Sequence, residues 1–170
     1  MAVSAAAVAL MIVGVSHAQA SDARSSASRS DSAAIVKLVP ESVTTRPDPL
    51  RAKEVRAQGC WVTEASFRAV TVLGFTFYRF HHRADWCQDG SRVNGVHFRT
   101  HWFSEVSSQA FPRSIESDFV TPAPSWEVTS FKKHLVENCV FDAGCISSTH
   151  PWVKLILRGD ATWSYEAGQN

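Results

Sequence analysis

Six side chains on two candidate strands combine aromatic, imidazole and guanidinium groups. They occupy alternate positions, with Tyr78, Phe80 and His82 on the first strand and His97, Arg99 and His101 on the second. If Asp89-Gly90 is a two-residue hairpin loop, the opposed pairs are Tyr78 with His101, Phe80 with Arg99, and His82 with His97. Opposite Cβ atoms lie about 4.5–5.5 Å apart, so the six side chains form one patch, which we call the hairpin face.

The hairpin face has the chemistry to bind a polymer. Tyr78 and Phe80 are suited to stacking on sugar rings or bases, and Arg99 is suited to holding an anionic group. Two alternatives remain open: a divalent metal held by His82 and His97, or an amphipathic face with no ligand. We predict a binding surface and assign no cofactor and no metal ligand. A bulge at Asn94-Gly95 would shift the register and undo the histidine pairing.

The other face of the same hairpin is more apolar and is predicted to face the core. It carries Phe75, Phe77, Phe98 and Trp102. The hairpin face is then expected to face solvent, where its imidazoles gain charge as the pH falls through about 6.5.

Alternation with a period of two dominates the chain from Trp61 onward and indicates short β-strands. Strand-like runs cover 61–73, 75–82, 96–103, 126–131, 136–141, 152–157 and 162–165. Turn signals such as Asp89-Gly90 and Gly159-Asp160 separate them. One segment, 50–57, could form two helical turns before Gln58-Gly59. The pattern predicts an all-β fold, either an antiparallel β-sandwich or a partly open barrel.

The chain is predicted to have three parts: a signal peptide at 1–20, a disordered tail or linker at 21–59 and a globular domain at 60–170. An apolar run at 5–15 followed by Ala-Gln-Ala at 18–20 indicates the signal peptide. That run is too short for a bilayer, so we expect a secreted mature chain without a membrane span. All ten Phe, six Trp and two Tyr lie between residues 61 and 165, which leaves the tail no large side chain to bury.

Cys60, Cys87, Cys139 and Cys145 are predicted to form two disulfides, since an even count in an exported chain favours oxidation. Three pairings are open. The short spacing and Gly144 favour Cys139–Cys145, which leaves Cys60–Cys87. Four thiolates could instead hold zinc, but the chain lacks the paired C-x-x-C spacing of such sites.

Four short motifs stand out in the domain. They are Leu-Gly-Phe-Thr-Phe at 73–77, Trp-Cys-Gln-Asp-Gly at 86–90, Pro-Trp-Val-Lys at 151–154 and Arg-Gly-Asp at 158–160. Through them the region of about 60–165 resembles a group of small exported proteins of actinobacteria that have no assigned activity. The resemblance implies export and a β-rich fold, and it implies no reaction.

The net charge and the catalytic motifs that the sequence lacks reduce the number of function classes to consider. A formal net charge of +1 over 170 residues argues against a nucleic-acid partner. The chain has no G-x-S-x-G elbow, P-loop or H-E-x-x-H motif, and the spacing of its carboxylates indicates no acid–base pair. We predict a secreted, non-catalytic binding or interaction module whose partner is a cell-envelope polysaccharide, another anionic polymer or an extracellular protein. The alternative is a small disulfide-bonded toxin or hydrolase-like effector, which a concave pocket holding His and a carboxylate would favour.

Overall fold

The computed structural model describes residues 35–140 and 144–169. The predicted signal peptide and the tail up to residue 34 lie outside the described residues. The elements are β1 (Ile35–Pro47), α1 (Pro49–Val55), β2 (Gly59–Thr71), β3 (Thr76–Gln88), β4 (Val93–Ser104), β5 (Ala110–Val120), β6 (Glu127–Val140), β7 (Gly144–Thr149), β8 (Trp152–Arg158) and β9 (Trp163–Gly168). Within the described ranges, no helix has the length and apolar character needed to cross a membrane.

The strands form two antiparallel sheets, which pack as a sandwich and do not close into a barrel. Sheet A has the strand order β1-β2-β3-β4, and sheet B has the order β5-β6-β8-β9. The long strand β6 has two partners on one side, since β8 pairs with its first half and β7 with its second half. The prediction of an antiparallel all-β fold is confirmed, in its sandwich form.

The core lies between the two sheets. Tyr78, Phe80 and Trp86 of β3 and Leu155 and Leu157 of β8 are all fully buried there. The Trp86 indole N–H donates to Thr63 Oγ1 at 3.0 Å, so its polar atom is satisfied inside the core. Burying each such side chain stabilises the fold by about 1.5–3 kcal/mol, which makes this layer the main source of stability.

The folded region begins before the predicted boundary at Cys60. Strand β1 pairs with β2 along its length, from Ile35 opposite Thr71 to Pro47 opposite Trp61. It has no aromatic residue, but Leu38 and Val43 pack against the core. The prediction of a disordered tail over 21–59 is therefore wrong for residues 35–57, because a backbone ladder and two aliphatic side chains offset the ordering entropy.

The helix predicted at 50–57 is present as α1, between Pro49 and Val55. Asp48 caps it, because its Oδ1 accepts a hydrogen bond from Arg51 N at 3.1 Å. Pro49 is the first helical residue, a position where its missing N–H removes no hydrogen bond of the helix. Arg56 ends the helix in the left-handed conformation.

The β3–β4 hairpin has a different register from the predicted one. His82 lies opposite His101 and Ala84 opposite Arg99, so the predicted pairs of Tyr78, Phe80 and His82 with His101, Arg99 and His97 are wrong. The register differs because the loop is two residues longer than predicted and because two bulges in β4, at Asn94 and at His97, each insert one further residue. Asp89 Oδ1 accepts hydrogen bonds from Ser91 N at 3.0 Å and Arg92 N at 2.9 Å, which stabilises a loop over 89–92 instead of a two-residue turn.

The two faces of this hairpin are also reversed. Tyr78, Phe80 and His82 are completely buried, whereas Phe98 is 51% exposed and Trp102 is 36% exposed. Phe75 is exposed as well, and Phe77 alone of the predicted core set is buried. The prediction that the hairpin face meets solvent is therefore wrong for Tyr78, Phe80 and His82, and only His97 among its six residues is exposed.

The physical reason for the reversal lies in the length of β3. The strand continues past His82 to Gln88, which adds Ala84 and Trp86 to the inner row. The alternate row gains Arg83 and Asp85, and burying that charged row would cost far more than burying His82. Trp86 therefore decides which row of β3 side chains is buried. It lies beyond residues 75–82, the strand that the alternation predicted.

The predicted pairing of the cysteines is confirmed. Cys60–Cys87 joins opposite positions of β2 and β3, and Cys139–Cys145 joins opposite positions of β6 and β7. Every described cysteine is in a disulfide, which leaves no thiolate set for zinc.

We expect the two disulfides to be reduced in a fixed order under native conditions. Cys60 is 3% exposed and Cys87 is fully buried, whereas Cys145 is exposed, so a thiolate reductant reaches the β6–β7 bridge first. Limited treatment with dithiothreitol, alkylation and peptide mapping should label Cys139 and Cys145 well before the other two. Simultaneous labelling of all four would contradict this order.

Candidate functional site

The six residues of the hairpin face separate into two regions. Tyr78, Phe80, His82, Arg99 and His101 point into the space between the sheets, whereas His97 lies on the exposed side of β4. His97 is the extra residue of a bulge, since Asp85 pairs with Phe98 while Trp86 pairs with Val96. The predicted metal alternative, which required His82 beside His97, has no geometric support.

Seven polar residues form an inter-sheet cluster at the side of the sandwich where β4 approaches β5 and β6. They are His82, Arg99, His101, Asp118, Ser130, Lys132 and His134. Sequence reasoning identified three of them and missed the four on β5 and β6. A possible signal was the alternation Ser130, Lys132, His134, which places polar groups at the inward positions of a long strand.

His82 is held by two hydrogen bonds in this cluster. Its Nδ1 lies 3.0 Å from the Thr100 carbonyl oxygen, which can only accept, so Nδ1 carries the proton. Its Nε2 lies 2.8 Å from Ser130 Oγ and accepts the hydroxyl proton. Ser130 Oγ in turn accepts from Arg99 Nε at 2.9 Å, so the chain of donors is complete.

Asp118 joins the cluster to its two cations. The carboxylate accepts hydrogen bonds from Arg99 Nη2 and from Lys132 Nζ. The Lys132 side chain is only 6% exposed and that of Asp118 is 34% exposed, so the pair lies at the margin of the core. Burial acts to raise the pKa of Asp118, but Lys132 and Arg99 outweigh it and lower the pKa.

His134 packs beside His101 and has no hydrogen bond at either ring nitrogen among the described residues. The two imidazole centroids are 4.4 Å apart, and the rings of Phe80 and Phe103 meet His134 edge-on at 5.5 and 5.3 Å. Burial lowers the pKa of His134 to about 4, assisted by His101 and Lys132. Burial also lowers the pKa of His82 to about 4, so both rings are neutral at pH 7.

The inter-sheet cluster has one arrangement that resembles a catalytic pair. Ser130 and His82 are at the hydrogen-bond distance of a nucleophile and its base. Both side chains are completely buried, so no substrate atom can approach Ser130 Oγ. The cluster therefore fixes the packing of β3, β4 and β6 and is not a reaction centre.

The accessible site is a pocket between α1 and the outer side of sheet A, which we call the helix–sheet pocket. It has a volume of about 290 Å³ and is lined by Asp48, Arg51, Asp85, His97 and Phe98. The capped start of α1 supplies the first two side chains, and the β4 bulge supplies the last two. Of the predicted site residues, only His97 belongs to this pocket.

The charged groups of the helix–sheet pocket already have partners, since Asp48 accepts from the Arg51 backbone N–H while Asp85 and Arg51 form ion pairs with close neighbours. Both Asp85 oxygens accept from Arg83, each at 2.7 Å, and Arg51 Nη1 donates to Glu54 at 2.7 Å. Partial burial, and to a smaller extent the Arg51 guanidinium, lowers the pKa of His97. The pocket thus offers paired charges and a neutral imidazole, without a concentrated positive field.

Phe98 forms the apolar wall of the pocket. The Arg83 guanidinium carbon lies 5.6 Å from the ring centroid, which covers one ring face from β3. Half of the side chain remains exposed. The exposed part of the Phe98 ring can stack on a ligand ring while the neighbouring polar groups form hydrogen bonds with it.

Sheet B carries a second aromatic surface on its outer side. The rings of Phe119 and Phe131 stack with centroids 5.0 Å apart, and Phe131 stacks on Trp152 at 5.9 Å. Beside them Glu116 contacts His150 at 2.7 Å and Lys133 at 3.5 Å. These rings cover each other's faces.

One group of metal-type ligands occurs in the described part of the chain. The ligand atoms of Glu137, Cys139 and Cys145 lie within 4.8 Å of one another. Both sulfurs are bonded to each other, so neither is a thiolate that could bind a metal. A second cavity of about 270 Å³ lies next to this disulfide, lined by Ser108, Gln109, Phe111, Cys139 and Val140.

The fold and the pocket define a two-sheet, disulfide-bonded β-sandwich with an aromatic-walled polar pocket on one sheet. Comparison of the chain with protein-family models, curated proteins and solved structures found no match. Function must therefore be argued from the site itself.

Proposed function

We propose that the protein is a non-catalytic binding module that acts outside the cell and binds a polysaccharide of the cell envelope. The observation that carries this proposal is the helix–sheet pocket, where polar groups from α1, β3 and β4 surround the half-exposed ring of Phe98. Sugar rings have an apolar face for stacking and hydroxyls that both donate and accept, and this pocket offers a partner for each.

The charges of the pocket favour a neutral polymer over an anionic one. Asp48 and Asp85 would repel a carboxylate or sulfate, and the nearby Arg51 and Arg83 are already paired with Glu54 and Asp85. The sequence suggested an anionic ligand held by Arg99, whereas the pocket favours a neutral ligand. Arg99 instead binds Asp118 inside the inter-sheet cluster.

Extracellular action is supported by the cysteines. All four are oxidised and lie in two disulfides, which persist in oxidising compartments. The resemblance to exported actinobacterial proteins and the expected signal peptide agree with this location, and both remain part of the proposal.

A hydrolytic function is the second candidate, because His97 and two carboxylates share the pocket. Against it, both Asp85 oxygens accept from Arg83 and Asp48 caps α1, so neither carboxylate orients His97. A general base normally has such an orienting partner. Release of soluble sugar from cell walls would support this candidate over the binding module.

We expect the protein to sediment with purified peptidoglycan, through the uncharged N-acetylated sugar rings of its glycan strands, and not to bind polygalacturonate, whose sugar rings themselves carry carboxylates. Phe98→Ala should lower the affinity for peptidoglycan about tenfold, since buried aromatic contacts dominate such interfaces. Phe119→Ala is the matched control, because Phe119 is 45% exposed on the other sheet. Sedimentation assays with both variants measure this.

Three results would overturn the proposal. The first is no sedimentation with peptidoglycan. The second is binding to polygalacturonate that weakens with added salt, which would restore the anionic-polymer prediction. The third is a loss of binding in Phe119→Ala but not in Phe98→Ala, which would move the site to the aromatic surface of sheet B.

A further inference from the structure

A second aromatic ring lies on the same strand and the same side of sheet A as Phe98. Trp102 follows Phe98 by four residues on β4, and both side chains belong to the exposed outer row. A strand rises about 3.4 Å per residue, so the two rings are about 14 Å apart along β4. The ring of Trp102 is thus a potential contact well beyond the helix–sheet pocket.

Both rings are covered on one face and open on the other. The His81 ring stacks on Trp102 with centroids 4.6 Å apart and an interplanar angle of 7°, while Arg83 covers Phe98. Both covering side chains come from β3, so the free face of each ring points away from β3. In that direction β4 is the edge of sheet A, and from Asn94 onward it has no second strand neighbour among the described residues.

The side chains that cover the rings are fixed in place. His81 Nε2 lies 2.8 Å from Ser104 Oγ, and Arg83 makes its two-bond contact with Asp85. The rings of Phe98 and Trp102 are therefore held at defined positions by their neighbours. They lose little conformational freedom when a ligand stacks on them. Such preorganisation improves affinity because less ordering entropy is lost on binding.

We infer that the edge of β4 is a linear binding track on which a neutral polysaccharide chain runs from the helix–sheet pocket at Phe98 to a second stacking position at Trp102. This inference rests on the proposed function and adds the direction and minimum length of the ligand. A single sugar unit occupies the pocket alone. A chain that spans about 14 Å contacts both rings.

The charges along the track fit a neutral chain. Arg79 pairs with Glu41 at 2.8 Å and with Glu105 at 2.7 Å, and Arg83 pairs with Asp85. Glu64 lies 3.4 Å from His81 Nδ1. Since these cations already have anionic partners, the track offers hydrogen bonds and ring faces without an unpaired positive charge that would attract an acidic chain.

The test is isothermal titration with N-acetylglucosamine and with its linear β-1,4-linked trimer and hexamer. These probes are neutral, and the acetamido group has an N–H for a carboxylate such as Asp48 and a carbonyl for a guanidinium such as Arg51. The hexamer should bind at least about tenfold more tightly than the single sugar. Trp102→Ala should remove that gain and leave the affinity for the single sugar unchanged, whereas Phe98→Ala should weaken binding of every probe.

Trp126→Ala is the matched control, because Trp126 is 50% exposed and lies outside the track. Equal affinity for all chain lengths, or a hexamer affinity that Trp102→Ala leaves unchanged, would overturn the track while the pocket proposal survives. No binding of any probe, together with no sedimentation on peptidoglycan, would overturn the proposed function as well.

Discussion

Acidification from pH 7 to pH 4 is expected to remove a large part of the free energy of unfolding. His82 and His134 have a pKa of about 4 in the folded protein, whereas an imidazole in the unfolded chain has a pKa near 6.5. Between these values the unfolded state binds more protons, so stability falls as the pH falls from about 6.5 to about 4. Each histidine contributes about 3 kcal/mol to the loss, against a total of about 5–15 kcal/mol for a typical domain.

The groups around the two histidines strengthen this effect. Lys132, His101 and Arg99 are the cations or potential cations that face them, and they oppose the gain of a further positive charge. Asp118 and Glu116 are the nearby anions that favour protonation of His134, but Asp118 is already paired with Lys132 and Arg99, and Glu116 with Lys133 and His150. Protonated His134 would also have no acceptor for its two N–H groups among the described residues.

Urea denaturation measured at a series of pH values tests this expectation. His134→Leu should reduce the dependence of the unfolding free energy on pH by about one proton, because one titrating group is removed. Val153→Ala is the control: Val153 is fully buried but does not titrate, so its replacement should lower stability and leave the dependence on pH unchanged. A free energy of unfolding that stays constant between pH 7 and pH 5 would show that the histidines are protonated as easily inside as outside.

Asp118→Asn is expected to destabilise the protein by about 3 kcal/mol at pH 7, because it leaves Lys132 as a nearly buried charge without its partner. The exposed pair of Lys154 and Glu166 provides the control: Glu166 is 53% exposed, so Glu166→Gln should change stability by less than about 1 kcal/mol. Chemical denaturation at constant pH measures both variants.

A double variant separates charge from packing at this position. Adding Lys132→Met to Asp118→Asn removes the stranded charge, so the double variant should be more stable than Asp118→Asn alone. Two results would contradict this expectation: the destabilisations caused by Asp118→Asn and Lys132→Met add in the double variant, or Asp118→Asn destabilises the protein no more than Glu166→Gln. In either case the salt bridge is a surface contact without a role in holding β5 to β6.

Much of the fold could be predicted because its signals are local. The alternation in β2 and β3, the short helical segment that becomes α1 and the spacing of the cysteines are each readable within one short segment. Three strands escaped prediction for physical reasons, and the first is β1, which has no aromatic residue and contains Pro40. β5 is a bulged edge strand with Pro112 and several charges, and β7 is short and almost wholly exposed, so neither shows a hydrophobic alternation.

The candidate site could not be predicted in the same way, because its residues come from distant segments. Asp48 and Arg51 belong to a stretch that lacks aromatic residues, and they reach His97 and Phe98 only after β1 joins the edge of sheet A. Which row of β3 side chains is buried depends on Trp86, which lies four residues beyond His82. A small error in strand length therefore exchanged the buried and the exposed rows of the whole hairpin.

The order of the strands divides the described chain into two consecutive halves, each of which forms one sheet. Sheet A uses the continuous segment 35–104 and sheet B the continuous segment 110–168, so no strand crosses from one sheet to the other. Each disulfide also stays within its own sheet, Cys60–Cys87 in the first and Cys139–Cys145 in the second. The covalent link between the halves within the described residues is the single connection through 105–109. A nick there would yield two fragments, each carrying a complete sheet and its own disulfide, whose reassembly depends on the packing of their inner faces and on the backbone bridge between Val93 and Ser125.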